Sequence, residues 1–494
     1  MNRAMVLILA ASAWVMPAQA RPLGPELAGQ VDKLFADWRL ATHTPGVVYG
    51  VVVDGELVHA GGAGIQDTDT KAPVGPDSLF RIASMSKAFT ALAVLKLRDE
   101  GRIALDAPAE LYVPELKNWT YPTSDSPRIT VRHLLNHTAG FVEDNPWGDR
   151  QQVMTEPEFS ALLTRGVFFS RPPGLAMEYS NLGYALLGRI VTNVSGVRYQ
   201  DYIATRIMRP LGMASTGYDI HASPAARRAI GYRWQDNRWL REPDMADGAF
   251  GAMGGVETSV SDYARWVTFL LSAWPARDGP EAGPVRRSTV RDIVTGSNFA
   301  RMGDRDPRVG APCRQPSSYA MGWIVTEDCD AGRIVTHGGG YPGYGSIVYL
   351  LPDRNAALFA FSNRTYGGSS LPAMRALLAL DKAGAFTARA TPVSPGLAAA
   401  YDAARAVWRT GDINAARLGN NVLLDRTADR WAKLVTDLKA EVGECAATEA
   451  VKPISAMEGT FAWTCSNGRV QGRVQRTPNK DVEIQALSFS AAQP

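Results

Sequence analysis

Hydrophobic positions follow a strand-like pattern at both ends of the main body of the chain and a helical period between them. Residues 46–53 and 56–64, joined by Asp54-Gly55, predict a β-hairpin. Later in the chain, short apolar runs between turn residues predict strands at 320–325, 334–337, 345–351 and 356–361. Both ends of the main body are therefore expected to contribute strands.

The intervening apolar positions recur at helical spacing. In residues 84–99 they include Phe89, Leu92 and Leu95, and Gly101 closes the predicted helix. Further helices are predicted at 184–194, 262–273 and 371–382. A sheet built from both ends of the main body, flanked by helices and carrying an inserted helical region, accounts for this order and predicts an α+β fold.

The pattern changes after residues 383–396, a segment of small residues and prolines that is typical of a linker. Beyond it, two helices and a three-strand meander are predicted, at 397–408, 426–439, 459–465, 469–476 and 482–489. We expect a small accessory α+β domain over 397–494, separate from the main body at 21–382. Capping of a cleft, binding of cell wall and assembly of oligomers all remain open as its role.

The first twenty residues have the pattern of a secretory signal peptide. Arg3 precedes an apolar run at 4–16, and Ala18-Gln19-Ala20 provides a small-x-small cleavage site, so the mature chain is expected to begin at Arg21. The alternative is an N-terminal membrane anchor, but the apolar run is too short to span a bilayer. We therefore predict a periplasmic or secreted protein without an integral membrane segment after processing.

Charge and cysteine content narrow the function further. The 494 residues carry a formal net charge of +3 and no basic block, so a nucleic-acid partner is not expected. The four cysteines form two sequence-local pairs, Cys313 with Cys329 and Cys445 with Cys465, which would persist as disulfides in an oxidising compartment. Free or zinc-binding thiols are the alternative, but no Cys-x-x-Cys is present, and we expect neither a metal nor a cofactor.

Ser84-Met85-Ser86-Lys87 is the first candidate for chemistry. On the predicted helix Ser84 and Lys87 lie one turn apart on the same face. A serine hydroxyl becomes nucleophilic when a neighbouring base takes its proton, and a lysine can be that base if its pKa is depressed. Alone this spacing is weak evidence, because most such pairs lie on a solvated helix surface.

Tyr179-Ser180-Asn181 lies between a Pro- and Gly-containing loop and a predicted helix, a position suited to a cleft. Beside a lysine ammonium the Tyr179 phenol could ionise and act as a base, and Asn181 could position a substrate amide. The alternative is an Asn helix cap with a packed Tyr. His133 and His137, four apart on a predicted helix, lack the Glu of a metalloprotease motif.

His337-Gly338-Gly339-Gly340 ends a predicted strand. Glycines there permit close approach of a substrate, and the N–H of Gly340 could form an oxyanion hole with that of Ser84. The alternative is an ordinary turn carrying a surface histidine. No Gly-x-Ser-x-Gly elbow is present, which disfavours an α/β-hydrolase.

In this order, Ser-x-x-Lys, Tyr-x-Asn and His-Gly-Gly resemble the motifs of the serine β-lactamase and penicillin-binding-protein superfamily. The surrounding sequence is similar to its class C β-lactamase-like branch, in Phe80-Arg81-Ile82-Ala83, the run TVRHLLNHTAG at 130–140, Pro210-Leu211-Gly212-Met213, Gly254-Gly255 and Gly322-Trp323. The resemblance covers roughly residues 30 to 380 and excludes the C-terminal domain. It implies an antiparallel sheet with flanking helices beside an all-helical region.

By this resemblance Ser84 is acylated, Lys87 and Tyr179 relay protons, and Asn181 orients the substrate. Gly340 matches the oxyanion-hole position, and His337 stands where the family more often has a lysine. A histidine is only partly charged near neutrality, and Gly338 removes a hydroxyl that helps β-lactamases hold a carboxylate. Such third motifs are familiar in D-amino-acid-specific peptidases and esterases of this branch.

The sequence therefore predicts a serine hydrolase that cleaves an amide or ester through an acyl-enzyme on Ser84. Its substrate would be a small molecule or peptide: a D-amino-acid peptide, a cell-wall stem peptide, a short-chain ester or a β-lactam. The alternatives are a true β-lactamase, a penicillin-binding receptor without turnover, and an inactive scaffold. The oligomeric state stays open.

Overall fold

The computed structural model describes residues 22–447 and 449–492. The predicted signal peptide therefore lies outside the described residues. The α-helices are Pro25–Ala41 (α1), Lys87–Asp99 (α2), Val131–Leu135 (α3), Glu156–Arg165 (α4), Asn181–Ser195 (α5), Tyr199–Ile203 (α6), Val260–Leu271 (α7), Arg287–Ile293 (α8), Ser370–Lys382 (α9), Pro395–Thr410 (α10), Val422–Asp425 (α11) and Ala428–Val442 (α12). Among the described residues, none of these helices combines the length and hydrophobicity that a membrane crossing requires.

The strands follow in the same chain order. They are Gly46–Val53 (β1), Glu56–Gly64 (β2), Phe80–Arg81 (β3), Tyr232–Gln235 (β4), Arg238–Arg241 (β5), Glu257–Thr258 (β6), Asn298–Asp304 (β7), Arg314–Tyr319 (β8), Ile324–Asp328 (β9), Gly332–Tyr341 (β10), Tyr344–Leu351 (β11), Ala356–Ser362 (β12), Lys452–Pro453 (β13), Glu458–Cys465 (β14), Gly468–Arg476 (β15) and Ile484–Ala491 (β16).

An eight-stranded antiparallel sheet, in the order β2-β1-β12-β11-β10-β9-β8-β7, forms the centre of the main body. Helices α1 and α9 cover one face, and α7 and the helical region cover the other. Strand β1 reads as a continuous apolar run because it is buried on both faces: Val47 and Tyr49 contact the first layer, and Val48 and Val52 the second. The predicted α+β architecture, with strands from both ends of the body, is confirmed.

Two local predictions were wrong. Residues 320–325 were predicted to be one strand, but 320–323 form the turn between β8 and β9. Gly322 in this turn has φ of +78°, and a side chain there would contact the Lys87 carbonyl at 3.0 Å, so the turn packs onto the start of α2. His137 was placed on a helix with His133, but α3 ends at Leu135, and His137 follows with φ of 59°.

The C-terminal region folds around its own apolar core. Helices α10 and α12 pack on a sheet in the order β13-β14-β15-β16, so the predicted meander is present with one additional short strand. The core side chains include Trp408, Phe461 and Trp463. Both predicted disulfides are present, Cys313–Cys329 beside β8 and β9 and Cys445–Cys465 at the end of β14.

Candidate active site

Ser84 lies on a short 3₁₀ turn, Ala83–Ser86, that joins β3 to α2. The sequence predicted the start of an α-helix here, and the α-helix begins at Lys87 instead. Ala83 has φ of 48°, a strained conformation for a residue with a side chain. Ser84 is 8% exposed, so this sharp turn leaves little of the residue in solvent.

The Lys87 side chain is fully buried and has three oxygen neighbours. Its Nζ lies 3.0 Å from Oγ of Ser84, 2.8 Å from Oδ1 of Asn181 and 2.8 Å from the carbonyl oxygen of Met253. Burial lowers the pKa of Lys87 to about 7, and the nearby carboxylates of Asp149 and Asp144 oppose this shift. A neutral amine can donate to Asn181 and Met253 while its lone pair faces the Ser84 hydroxyl.

Tyr179 and Asn181 lie at the start of α5, where the Ser180 hydroxyl caps the helix. Nζ of Lys87 is 4.9 Å from the centre of the Tyr179 ring. Burial holds the pKa of Tyr179 well above its ordinary range, while a hydrogen bond with Ser84 acts in the opposite direction. The phenol is therefore neutral at rest, which differs from the ionised base considered from the sequence.

Asn181 is also fully buried. Its Oδ1 accepts from Lys87, and its Nδ2 donates to Oδ1 of Asn145 at 2.7 Å. Both ends of the amide are thus engaged by protein groups. Asn181 therefore contacts Lys87 and holds its amine in position.

The third motif lies on β10 beside this cluster. Nε2 of His337 lies 3.1 Å from the Tyr319 hydroxyl, and its Nδ1 lies 2.6 Å from the Gly338 carbonyl, so Nδ1 carries the proton and Nε2 accepts. Burial lowers the pKa of His337 to about 4, and the charge of Lys87 acts in the same direction. The expectation of a partly charged His337 near neutrality was wrong, because burial keeps this ring neutral.

Gly339 and Gly340 bring β10 close to the nucleophile turn. A side chain at Gly339 would overlap the Ile82 carbonyl and the Ser346 hydroxyl, so only glycine fits there. At Gly340 a side-chain carbon would lie 2.7 Å from Cδ1 of Tyr366. Gly338 remains exposed. The structure therefore brings together Ser84, Lys87, Tyr179, Asn181, His337, Gly339 and Gly340, whereas a side chain at Gly338 would face Ile347 in the layer covered by α1 and α9.

Several residues of the site were missed from the sequence. His137 accepts the Ser180 N–H at Nδ1, and its ring centre lies 4.4 Å from that of Tyr179. Asp149 is a buried carboxylate and Asp144 a half-buried one, and both are close enough to raise the pKa of Lys87. Of these three residues, only His137 belongs to a sequence motif, the run at 130–140. Isolated aspartates in a loop form no recognisable spacing.

Comparison with known proteins identifies relatives of this arrangement. The sequence matches the model of the family described as Beta-lactamase over residues 31–382. Among curated proteins, Protein flp of Staphylococcus aureus (strain N315) is 28% identical over 342 residues, covering 68% of this chain. The aligned region spans 62% of the length of that relative.

Solved structures share the fold at lower identity. The octameric penicillin-binding protein homologue from Pyrococcus abyssi aligns with a TM-score of 0.61 and 19% identity, covering 93% of this chain and 99% of that one. The D-amino acid amidase from Ochrobactrum anthropi SV3 aligns with a TM-score of 0.59 and 22% identity, covering 72% and 99%. The alignment with the penicillin-binding protein homologue covers 93% of this chain, which is more than residues 1–382 comprise. It therefore includes part of the C-terminal region.

Proposed function

The chain belongs to the β-lactamase family, and from that premise we propose that it is a serine hydrolase that cleaves an amide or ester bond through an acyl-enzyme on Ser84. The observation that carries the proposal is the contact between Nζ of Lys87 and Oγ of Ser84 at 3.0 Å. Burial lowers the pKa of that amine to about 7, within the range where a lysine can serve as a base.

In the acylation step, Oγ of Ser84 forms a bond to the substrate carbonyl carbon as its proton passes to Nζ of Lys87. Asn181 and the Met253 carbonyl hold the amine so that its lone pair faces the hydroxyl. The N–H groups of Ser84 and Gly340 stabilise the negative oxygen of the tetrahedral intermediate. The proton then moves to the leaving amine or alcohol as the bond to the carbonyl carbon breaks.

Tyr179 participates as a neutral phenol. Its high pKa makes it a hydrogen-bond donor to the leaving group and a relay that is refilled from the Lys87 ammonium. In deacylation a water molecule adds to the acyl carbon, its proton passes to the same groups, and Ser84 Oγ recovers a proton as it departs. Release of the free acid completes the cycle.

Export is part of the proposal. The two disulfides support an oxidising compartment, and residues 1–20 have the sequence pattern of a signal peptide. We propose residues 21–382 as the catalytic domain, 383–396 as the linker and 397–494 as an accessory domain.

The experiment that tests the activity mixes the purified mature chain with p-nitrophenyl acetate or benzylpenicillin in excess over the enzyme, and follows absorbance from the first turnover onward. We expect a burst of p-nitrophenol equal to the enzyme concentration, then steady turnover. Rapid turnover of benzylpenicillin would indicate a β-lactamase, and a stable adduct would indicate a receptor. Absence of both burst and turnover with the ester contradicts the proposed hydrolase.

A further inference from the structure

Ser84 belongs to a ring of contacts that connects the helical region to the sheet. Lys87 links Ser84 to Asn181, with distances of 3.0 and 2.8 Å. Asn181 in turn packs against Gly148, where a side-chain carbon would lie 2.8 Å from Cβ of Asn181. Asp149 follows Gly148 in the sequence, so this series of contacts leads from Ser84 to the Asp149 carboxylate.

Tyr366 closes the ring from the side of the sheet. Its hydroxyl donates to Oδ2 of Asp149 at 2.9 Å, and its ring lies against Gly340. The preceding Gly339 packs on the Ile82 carbonyl, which returns the ring to the nucleophile turn. The ring of contacts that begins and ends at the nucleophile turn therefore includes Asp149 and Tyr366.

Asp149, which is buried, differs from Asp144, the half-buried carboxylate on the same side. Asp144 accepts from the N–H of Asn181 at 2.7 Å, the N–H of Leu182 at 2.8 Å and the Ser180 hydroxyl at 3.3 Å. For Asp149, the hydroxyl of Tyr366 is the side-chain donor that the described residues supply. Burial raises the pKa of Asp149, and this hydrogen bond opposes the shift. A carboxylate with so few donors retains capacity for another, and a charged donor contributes most.

The surrounding charges favour a cation over an anion. Burial keeps His337 neutral, so it offers no positive charge to a substrate carboxylate. Arg150 lies at the exposed rim, with Nη1 3.1 Å from the Pro146 carbonyl and 3.4 Å from the Tyr366 hydroxyl. Lys87 is neutral when it accepts the proton of Ser84, so it does not repel a cationic substrate before the attack begins. Arg81, three residues before Ser84, is directed to the carbonyls of Met245 and Gly255, and the charges that act on Lys87 are the carboxylates of Asp149 and Asp144.

We propose that Asp149, oriented by Tyr366, binds an ammonium group that the acyl part of the substrate carries next to the scissile carbonyl. The preferred substrates are then amides or esters of amino acids and peptides with a free amino group. This inference rests on the proposed function, because the ammonium is positioned only as Ser84 attacks the adjacent carbonyl. It also explains the absence of charge at His337, where a cation would repel such a substrate.

Matched probes test the preference. Both enantiomers of phenylalanine p-nitroanilide and their N-acetyl counterparts differ in the charge of one group, and the α-amino group is largely protonated near pH 7. We expect kcat/KM for the better free-amine enantiomer to exceed that of its N-acetyl counterpart by about 10-fold or more, as for a hydrogen bond between charged groups. A ratio of one or below overturns the inference.

Asp149→Asn keeps the shape of the side chain and removes its charge. Because Asp149 also raises the pKa of Lys87, absolute rates change as well, and the ratio between the paired probes isolates binding of the ammonium. We expect this ratio to fall to near one. Asp144→Asn is the matched control, since Asp144 acts on Lys87 in the same way but its carboxylate is already saturated, and its ratio should match that of the wild type.

Retention of the wild-type ratio in Asp149→Asn overturns the inference, as does an equal loss in Asp144→Asn. Hydrolysis of p-nitrophenyl acetate distinguishes these results from failure of the proposed function. If the acetate is hydrolysed through Ser84 without any preference for the free amine, only the inference fails. If none of the probes is hydrolysed, the proposed hydrolase fails together with it.

Discussion

The main body and the C-terminal domain are built alike but fill their interiors differently. Each has an antiparallel sheet covered by helices and one disulfide. The body buries polar and ionisable groups together, among them Lys87, Asn181 and His337. The interior of the C-terminal domain is apolar, and its largest side chains are aromatic, including Trp408, Phe461 and Trp463.

This difference indicates where chemistry takes place. A buried lysine or carboxylate costs free energy because it loses its hydration, and it persists where neighbouring groups or function compensate. The body retains several such groups around Ser84, and others such as the ion pair between Arg305 and Asp328, whereas the C-terminal domain uses its interior for packing. If this comparison holds, substitutions around Ser84 should change the rate of hydrolysis, and substitutions in the C-terminal core should change the free energy of unfolding.

The largest effect is expected from Ser84→Ala. Removal of the nucleophile should lower kcat for p-nitrophenyl acetate by about 10³-fold or more, because no acyl-enzyme can form. Ser86→Ala is the matched control, since this hydroxyl accepts the Val256 N–H at 3.0 Å and faces away from the chemistry. Circular dichroism would establish that both variants fold, and wild-type activity in Ser84→Ala would contradict the assignment.

Lys87→Ala should follow, with a loss of about 10²- to 10⁴-fold in kcat/KM, the usual contribution of a general base. Lys96→Ala provides the comparison on the same helix, because Lys96 contacts the Pro284 carbonyl and Glu100 and has no contact with Ser84 among the described residues. Steady-state kinetics on the ester would separate the two. Similar rates for both variants would remove Lys87 from the mechanism.

Tyr179→Phe should reduce kcat by about 10²-fold, since it removes the phenolic donor and keeps the ring that packs on His137. The loss should be greater for an anilide than for a p-nitrophenyl ester, because the anilide is the leaving group that needs a proton. The two substrates measured in parallel provide the check. An equal loss on both would argue for a packing role.

The pH dependence should be milder. Since burial lowers the pKa of Lys87 to about 7, its neutral form is lost as the pH falls below that value. We expect kcat/KM to decline about tenfold for each further unit of acidification. His337, with a pKa of about 4, stays neutral over most of this range. A rate that is constant between pH 5 and 8 would contradict the role of Lys87.

The smallest effect on activity is expected from Trp463→Ala in the C-terminal core. Loss of this fully buried side chain should lower the free energy of unfolding of that domain by about 3 to 5 kcal/mol. The site lies in the other core, so kcat/KM at 25 °C should stay within about twofold of the wild-type value. Thermal unfolding followed together with ester hydrolysis would test this separation, and a parallel loss of both would refute it.

Much of the fold could be predicted because its strands are buried on both faces and leave long apolar runs, as in β1 and β12. Strand β7 was missed, since this edge strand is largely exposed and its residues do not alternate. Residues 320–323 were wrongly predicted to be part of a strand because they are apolar and buried. They are apolar because the turn is buried against α2.

That Ser84, Lys87 and Tyr179 lie close together could be predicted from the order of the motifs in the resembling family, and their catalytic roles stay predictions. Their protonation could not, since the pKa of Lys87, Tyr179 and His337 depends on burial that the sequence does not state. The contact between Asp149 and Tyr366 also could not be predicted from the sequence. They come from loops more than 200 residues apart and meet only in the folded chain.

The central claim is that Ser84 carries the acyl group. Intact-mass spectrometry of the mature protein, quenched in acid at intervals after mixing with p-nitrophenyl acetate, tests it directly. We predict a transient gain of one acetyl group, mapped to the peptide containing Ser84 and absent from Ser84→Ala. An acetyl group on another residue, or an equal gain in Ser84→Ala, would contradict the account.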